Sequence, residues 1–473
     1  MEKLRNLYGM HDLSQKSWLE LKSAQERLRE YFALHGYNVL ETPLLEPTDL
    51  FLRKSGGELA ARMYTFTDPG GNQVSLRPEY TASVVRHYLG GESSEPLPIR
   101  VQYAGPVFRY EGAGDTDHQF TQVGAELLGS TSPRADAEIL SLSCRALSDL
   151  GLKGQLLNIG DIGVLHGLLE SLGLSERAAT FILGSVNELR EDGLAPVMDQ
   201  ARQLGLLANH SRQGYLRAAT EGMKEDEARE LLHRLLQWAE VGSLGQREPS
   251  DVVERLLRKL RTADDPGSLQ RGLEVIHRLA SVKGEPHGCL KEAEDVITSF
   301  GLDPVVLDRL KELTGLLAAE QMGSTTVVLD FGLARGLAYY TGIIFEITHP
   351  QVEGSLGGGG RYDGLARALG STSNVPALGF AYTLEPILTL IAKKGKKKLN
   401  HKDGSGRVLL LAPNGAAYKK AIQVAEELRG SGTAVEVDVA SMGVEDSLPY
   451  ARDRGIATVM TIDGNGKRTT HKV

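Results

Sequence analysis

The sequence predicts an α+β fold in several parts, on three observations. Two apolar stretches with alternating polar residues, Ile99–Glu111 and His118–Leu128, flank a short loop and read as neighbouring strands. From about residue 173 to 321 the pattern changes to leucines at helical spacing. After a basic, glycine-bearing stretch at 392–406, strand and helix patterns alternate as β-α-β-α-β, which implies a small parallel α/β domain.

Composition bounds what these parts can be. With 473 residues, two or three domains are expected. A hydrophobic content of 41% with 24% charged residues is that of a globular protein. The net charge of −8 argues against a chain whose whole surface attracts nucleic acid. Cys144 and Cys289 are the only cysteines, so no disulfide framework is implied and the reducing cytoplasm is the expected home. The first residues lack the apolar stretch of a signal peptide, and no apolar run is long enough to span a membrane. The twelve histidines show no paired ligand spacing, and no metal site is expected.

Taken in order, Ser14–His35 reads as an amphipathic helix with Trp18, Leu21, Ala24, Leu28, Tyr31 and Phe32 on one stripe. Gly36 is suited to end it in a left-handed cap. Tyr37–Glu46 is strand-like up to Pro43, and a proline places such a strand at a sheet border or subunit contact. Met63–Phe66 and Val74–Ala82 flank an Asp-Pro-Gly-Gly-Asn turn and read as a hairpin. Arg77 precedes Pro78 and is pushed towards an extended conformation. Glu79 then stands just before a helix start at Thr81, where a plain helix-end charge is one reading. On the strands that follow, Arg109 and Glu111 alternate on one face, and Gln122 and Glu126 share a face. Burying these groups without a polar ligand would be costly. A helix at Pro133–Leu147 and a strand near Leu156–Gly160 come next. Within the insertion, Asp226–Ala239, Asp251–Leu260, Ser268–Ala280 and Pro304–Ala318 read as helices with solvated charged faces.

Two later segments carry the most chemistry. Asp330–Glu346 sets Arg335 between short residues and follows it with Tyr339, Tyr340 and a strand from Ile343 to Ile347. Arginine offers a planar donor fork for a carboxylate or phosphate, and the tyrosines offer rigid rings with hydroxyls. Gly357-Gly-Gly-Gly-Arg-Tyr-Asp-Gly364 follows, where absent side chains allow close backbone approach, or simply a loose turn. In series the two segments resemble the signature pair with which the histidyl-tRNA synthetase family binds histidine.

Other stretches share the resemblance. Leu76-Arg-Pro-Glu-Tyr-Thr81 is similar to the element in which the glutamate receives the α-amino group of histidine. The helix with its proline-ended strand, the strand pair, and Val375–Leu390 resemble motifs 1, 2 and 3 of class II aminoacyl-tRNA synthetases. The implied fold is a class II synthetase-type antiparallel sheet with helices. Residues 1–172 and 322–391 would form the core, 173–321 a helical insertion, 392–406 a linker, and 407–473 a truncated anticodon-binding-like α/β domain. Motif 1 implies a homodimer around the Pro43 strand. The implied histidine site is Glu79, Thr81, Arg109, Gln122, Glu126, Arg335, Tyr339, Tyr340 and Tyr362.

Two departures bear on activity. The motif 2 loop, Gly112–Asp117, has two aspartates and no arginine or lysine, whereas a synthetase carries arginines there for ATP and the tRNA end. In motif 3 the chain reads Thr383-Leu-Glu-Pro386, with proline where the family sets an arginine against ATP. The resemblance therefore implies one of two functions. One is a histidine–tRNA ligase, using ATP, Mg and tRNA, with Arg109 and Arg335 stabilising adenylate formation. The other is the synthetase-like regulatory subunit of ATP phosphoribosyltransferase, which binds L-histidine and a catalytic partner subunit without cofactors. The lost cations favour the second; a paralogue with some other partner is a third possibility. The lysine run before residue 406 reads as linker, with nucleic-acid contact as its alternative.

Overall fold

A computed structural model describes residues 5–53, 57–91, 96–112, 117–206, 223, 225–238, 253, 265–320, 322–333, 340–392 and 406–473. It forms two compact units. One contains Met1–Ile162, Gly284–Leu290 and Leu307–Val473, and the other Gly163–Lys283 and Lys291–Val306. No helix among the described residues is long and apolar enough to cross a membrane.

The first unit opens with the helix Gln15–Leu34, whose N-cap Ser14 accepts the amide of Ser17. Leu21, Ala24, Leu28 and Phe32 are buried as the periodicity requires. Trp18 is not: it lies in the first turn with about half its surface exposed, 48%. Gly36 adopts φ +85°, and a Cβ there would come 2.3 Å from Glu436 Cγ, so the position also needs a missing side chain.

The strands follow as β1 (Asn38–Val39), β2 (Leu45–Pro47), β3 (Thr65–Thr67), β4 (Gln73–Leu76), β5 (Ile99–Phe108), β6 (Gln119–Leu128) and β7 (Leu156–Asp161). Next are the two-residue β8 (Lys283–Gly284), whose Gly284 belongs to this unit, β9 (Thr326–Asp330), β10 (Ile343–His349), β11 (Val352–Arg361) and β12 (Ala377–Thr383). Among the described residues the main sheet runs β1-β5-β6-β12-β11-β10-β7-β9-β8. From β5 to β7 every neighbouring pair is antiparallel, while β1–β5 and β7–β9 are parallel. The mixed α+β architecture built on a mostly antiparallel sheet is as the sequence implies.

Four details differ from the sequence reading. The Tyr37–Glu46 strand is broken: only β1 joins the main sheet, at its border, and β2 joins β4 and β3 in a small separate sheet. The pairing with β5 already stops at Leu40, before Pro43, whose missing N–H could not have continued it. β5 ends at Phe108, so Arg109 and Glu111 lie beyond it and do not alternate on a strand face. The glycine run is neither loop nor turn but part of the C-terminal half of β11, paired with β10 on one side and β12 on the other. Lastly, the α/β tail has a fourth strand.

That tail comprises β13 (Arg407–Leu411), β14 (Ala434–Val437), β15 (Thr458–Ile462) and β16 (Arg468–Lys472), in the order β14-β13-β15-β16. Helices Gly415–Gly430 and Val444–Asp453 intervene, and only β16 is antiparallel. It is exposed and polar along most of its length, which is why no apolar pattern announces it. The tail is held to the core by buried charge. Arg100 of β5 donates to Glu138 at 2.8 and 2.9 Å, to Glu436 at 3.2 Å and to the Val437 carbonyl at 3.0 Å. Tyr450 donates to Glu436 at 2.9 Å.

The second unit is helical among its described residues. It includes Glu176–Gly184, Val186–Glu191, Leu194–Gln203, Glu225–Trp238 and Pro266–Ala280. Pro266–Ala280 is capped by Asp265 and buries Leu269, Leu273, Ile276 and Leu279, matching its leucine spacing. Of the expected helix at Asp251–Leu260, only Val253 lies within the described residues. Pro304 starts a 3-10 turn, Pro304–Leu307, rather than the first turn of an α-helix.

Candidate functional site

The site is organised from Arg77 outwards. Arg77 is fully buried; it donates to the Pro106 carbonyl at 3.0 Å, the Thr42 carbonyl at 2.5 Å, and the hydroxyl of Tyr80. These bonds tie the extended Arg77–Pro78 segment to β5 and to the chain before β2. They fix where the helix Thr81–Leu89 begins. Glu79 then accepts the amide of Ala82 at 3.0 Å and that of Thr81, so its carboxylate closes the first turn of this helix. Arg109 donates to the Pro78 carbonyl at 2.8 Å, and its charge favours the ionised form of Glu79. Burial acts the other way and is stronger, so the Glu79 carboxyl is held above its ordinary value.

Glu126 is the centre of this cluster of candidate residues. It lies on β6, which is buried along nearly its whole length. Oε1 accepts the Thr81 hydroxyl at 2.7 Å and the Tyr103 hydroxyl at 2.9 Å, and Oε2 accepts that of Tyr362. Burial raises its carboxyl to about 7 despite these three donors, and the charge of Glu79 pushes the same way. Tyr340 stands within the field of Glu126, Glu79 and Arg109, and its hydroxyl is raised well above its usual range, first by burial. Gln122, two pleat repeats from Glu126 on the same face of β6, is buried with Oε1 lacking a partner.

The structure thus brings together Glu79, Thr81, Arg109, Gln122, Glu126, Tyr340 and Tyr362. Arg335 and Tyr339 lie outside the described residues. Two members escape a reading by motif. Tyr103 reaches Glu126 because its partner across the ladder is Gly124, where a Cβ would sit 2.6 Å from the tyrosine oxygen. Tyr80 stacks on Tyr103 with ring centroids 4.3 Å apart. The signal was a glycine opposite a tyrosine, visible only once the register is known. The resulting pocket has two acids, an unpaired amide oxygen and several hydroxyls. It suits a small ligand that brings positive charge and N–H donors.

The neighbouring turn into the helix Leu384–Ala392 has a different character. Glu385 Oε1 accepts the Thr121 amide at 2.8 Å, while Oε2 is buried without a partner. Burial raises the Glu385 carboxyl, and the charge of Asp117 adds to this. Pro386 follows in the first turn and contributes neither charge nor donor. Of the motif 2 loop, residues 113–116 lie outside the described residues. No group of three His, Cys, Asp or Glu side chains among the described residues is arranged to hold a metal ion.

A family model for histidyl-tRNA synthetase matches residues 9–252 and 252–387. The chain belongs to the histidyl-tRNA synthetase family. The match includes every pocket residue above. The histidine–tRNA ligase of Methanocaldococcus jannaschii is 29% identical over 455 residues, covering 96% of this chain and 90% of its own. That of Pyrococcus horikoshii is 30% identical over 465 residues, covering 98% and 90%. Among solved structures, an ATP phosphoribosyltransferase regulatory subunit/histidyl-tRNA synthetase from Bacillus halodurans superposes with a TM-score of 0.58 at 21% identity, covering 98% of both chains. The histidyl-tRNA synthetase of Nostoc sp. PCC 7120 gives 0.55 at 16% identity, covering 100% of this chain and 97% of its own. These two likenesses show the synthetase fold.

Proposed function

We propose that this chain binds free L-histidine in the Glu79–Glu126 pocket and serves as the synthetase-like regulatory subunit of an ATP phosphoribosyltransferase. The observation that carries the reading is a contrast between neighbouring parts of the unit. The pocket for an amino acid with a basic ring has its acids, hydroxyls and amide oxygen in place. The turn at Glu385–Pro386 offers an acid and a proline where adenylate formation needs a cation. Glu79 receives the α-amino group, Glu126 and Gln122 meet the ligand's N–H donors, and Tyr340 and Tyr362 close the pocket with Tyr339 and Arg335. A homodimer around Pro43 belongs to the reading. β1 is terminal in the sheet, and Val39, Leu44 and Leu45 nearby are each about half exposed. Histidine would act on the partner's turnover, because a ligand regulates only by binding two states unequally.

The second reading is a histidine–tRNA ligase, favoured by the curated relatives that match over nearly the whole chain. Under it ATP, Mg and tRNA are bound, and Arg109 and Arg335 stabilise the adenylate. The two readings part in one set of assays. Purified protein is tested for histidine-dependent ATP–pyrophosphate exchange, and co-expressed with a short-form ATP phosphoribosyltransferase for co-elution and histidine inhibition. Co-elution with histidine-sensitive turnover and no exchange supports the regulatory subunit. Exchange at ordinary synthetase rates supports the ligase.

A further inference from the structure

The glycine run ends in an arginine that no reading above uses. Arg361 is 4% exposed, and each of its guanidinium nitrogens has a partner. Nε and Nη2 donate to Asp136 Oδ1 at 3.0 and 2.6 Å, and Nη1 donates to the Ser130 carbonyl at 2.8 Å and to Asp363 Oδ1 at 3.1 Å. Asp136 is completely buried in the first turn of the helix Pro133–Asp149, and its Oδ2 takes a second guanidinium, that of Arg309, at 2.5 Å. Two acids and two arginines balance in charge, which a buried cluster requires.

The next residue along is Tyr362, whose hydroxyl sits on Glu126. Its backbone is held from both sides. The Tyr362 amide donates to the Ala377 carbonyl at 2.8 Å, and the Ala377 amide donates back to Asp363 Oδ1 at 3.0 Å. The Thr341 amide donates to the Arg361 carbonyl at 2.7 Å, and the Asp363 amide donates to the Thr341 hydroxyl at 3.0 Å. A tyrosine ring reaches its acceptor only if its Cα is fixed, and here Ala377, Thr341 and Asp363 hold the backbone while the buried Arg361–Asp136 pair stands behind them.

We propose that Asp136 and Arg361 are positioning residues for the pocket: their forked ion pair sets the Tyr362 hydroxyl on Glu126 and so controls the state in which Glu126 meets its ligand. The proposal rests on the pocket being the ligand site, but not on which ligand it takes. Glu126 also faces Thr81, Glu79, Tyr103 and Tyr340, with Arg109 beyond; of these, Tyr340 is the chain neighbour of Thr341, which bonds to Arg361 and Asp363.

The test reads Glu126 itself. The full chain is labelled with carboxyl-13C glutamate, and the Glu126 resonance is assigned with Glu126→Gln and followed against pH. A hydrogen bond to a carboxylate stabilises its ionised form, so Tyr362→Phe should raise the Glu126 midpoint by roughly one unit. Asp136→Asn and Arg361→Lys should raise it in the same direction. Combined with Tyr362→Phe, either should add little further. Arg361→Lys keeps the charge and loses only the fork, so it decides the matter if Asp136→Asn does not fold. An unmoved midpoint in Arg361→Lys, or in Tyr362→Phe, overturns the proposal. Calorimetry with L-histidine runs alongside, with at least tenfold weaker binding expected for Arg361→Lys. Failure of the wild type to bind histidine would count against the proposed function while leaving the midpoint result to decide the positioning role.

Discussion

Gly379 on β12 lies directly across the ladder from Glu126 on β6, and a methyl group on Gly379 would fall 1.5 Å from Glu126 Oε2. The pocket's central acid therefore occupies volume that the neighbouring strand leaves empty. Gly379→Ala should expel the carboxylate from its three hydroxyl donors. Overpacking of this kind costs about 1–3 kcal/mol. Thermal melts should show that loss, and calorimetry the loss of ligand binding; an unchanged affinity would mean the carboxylate is not where binding happens.

Glu126 also predicts how stability varies with pH. Its folded value of about 7 lies above the ordinary 4.5, so the folded protein holds a proton that the unfolded chain releases. Its contribution is then fully present below about pH 4.5, and is lost as pH rises through 7. Glu126→Gln should flatten the wild-type decline in unfolding free energy across that window. Denaturant titrations at several pH values compare the slopes, with the buried Glu320, also near 7, common to both proteins.

Glu79 carries two duties, since it closes the first turn of its helix and faces the pocket. Glu79→Ala should cost about 0.5–2 kcal/mol of stability, as lost helix caps do. Histidine affinity should fall by far more, on the order of a hundredfold or greater, because a charged partner is removed from a buried site. Calorimetry against the melting shift separates the duties; proportionate losses would reduce Glu79 to a cap.

Histidine-dependent pyrophosphate exchange should be absent or very slow. Loss of one preorganised cationic donor costs roughly a hundredfold or more in such reactions. Pro386→Arg alone should not restore it, because Glu385 and Asp117 remain beside the site. Recovery to synthetase-like rates in that single variant would show that proline is the only barrier.

Arg100 is one tie between the core and the tail. Arg100→Ala would remove the guanidinium that Glu436 and Glu138 share, leaving Glu436 the more distant Arg454 at 3.8 Å, so the cost should not exceed the ~3–5 kcal/mol of a fully broken buried pair. Arg100→Ala with Glu436→Gln should recover part of this. Equal denaturation midpoints for wild type and Arg100→Ala would show that the tail's docking does not depend on the ion cluster.

What could be read in advance has a common physical basis. The 3.6 period of Leu21, Ala24, Leu28 and Phe32, the period of two that puts Gln122 and Glu126 on one face, and Gly36 at a helix end all depend on near neighbours. The α+β class and the family followed from such local patterns and from motifs. The misses are of the opposite kind. Trp18 fits the helical stripe, but among the described residues no element covers it. The glycine run looked like a turn because a strand without side chains has no polarity pattern. β16 is a strand only because β15 offers its edge.

The sequence by itself determined the α+β class, the family and which acids, hydroxyls and cations stand at the motif positions, because residue identity sets charge, donors and acceptors. Only the tertiary structure decided how those residues are held. The facing of Gly379 and Glu126, the reach of Tyr103 past Gly124, and the Asp136–Arg361 pair behind Tyr362 each join positions far apart in the chain. Such contacts depend on strand register and on the packing of helices against the sheet. A one-residue slip in either would exchange every one of these partners.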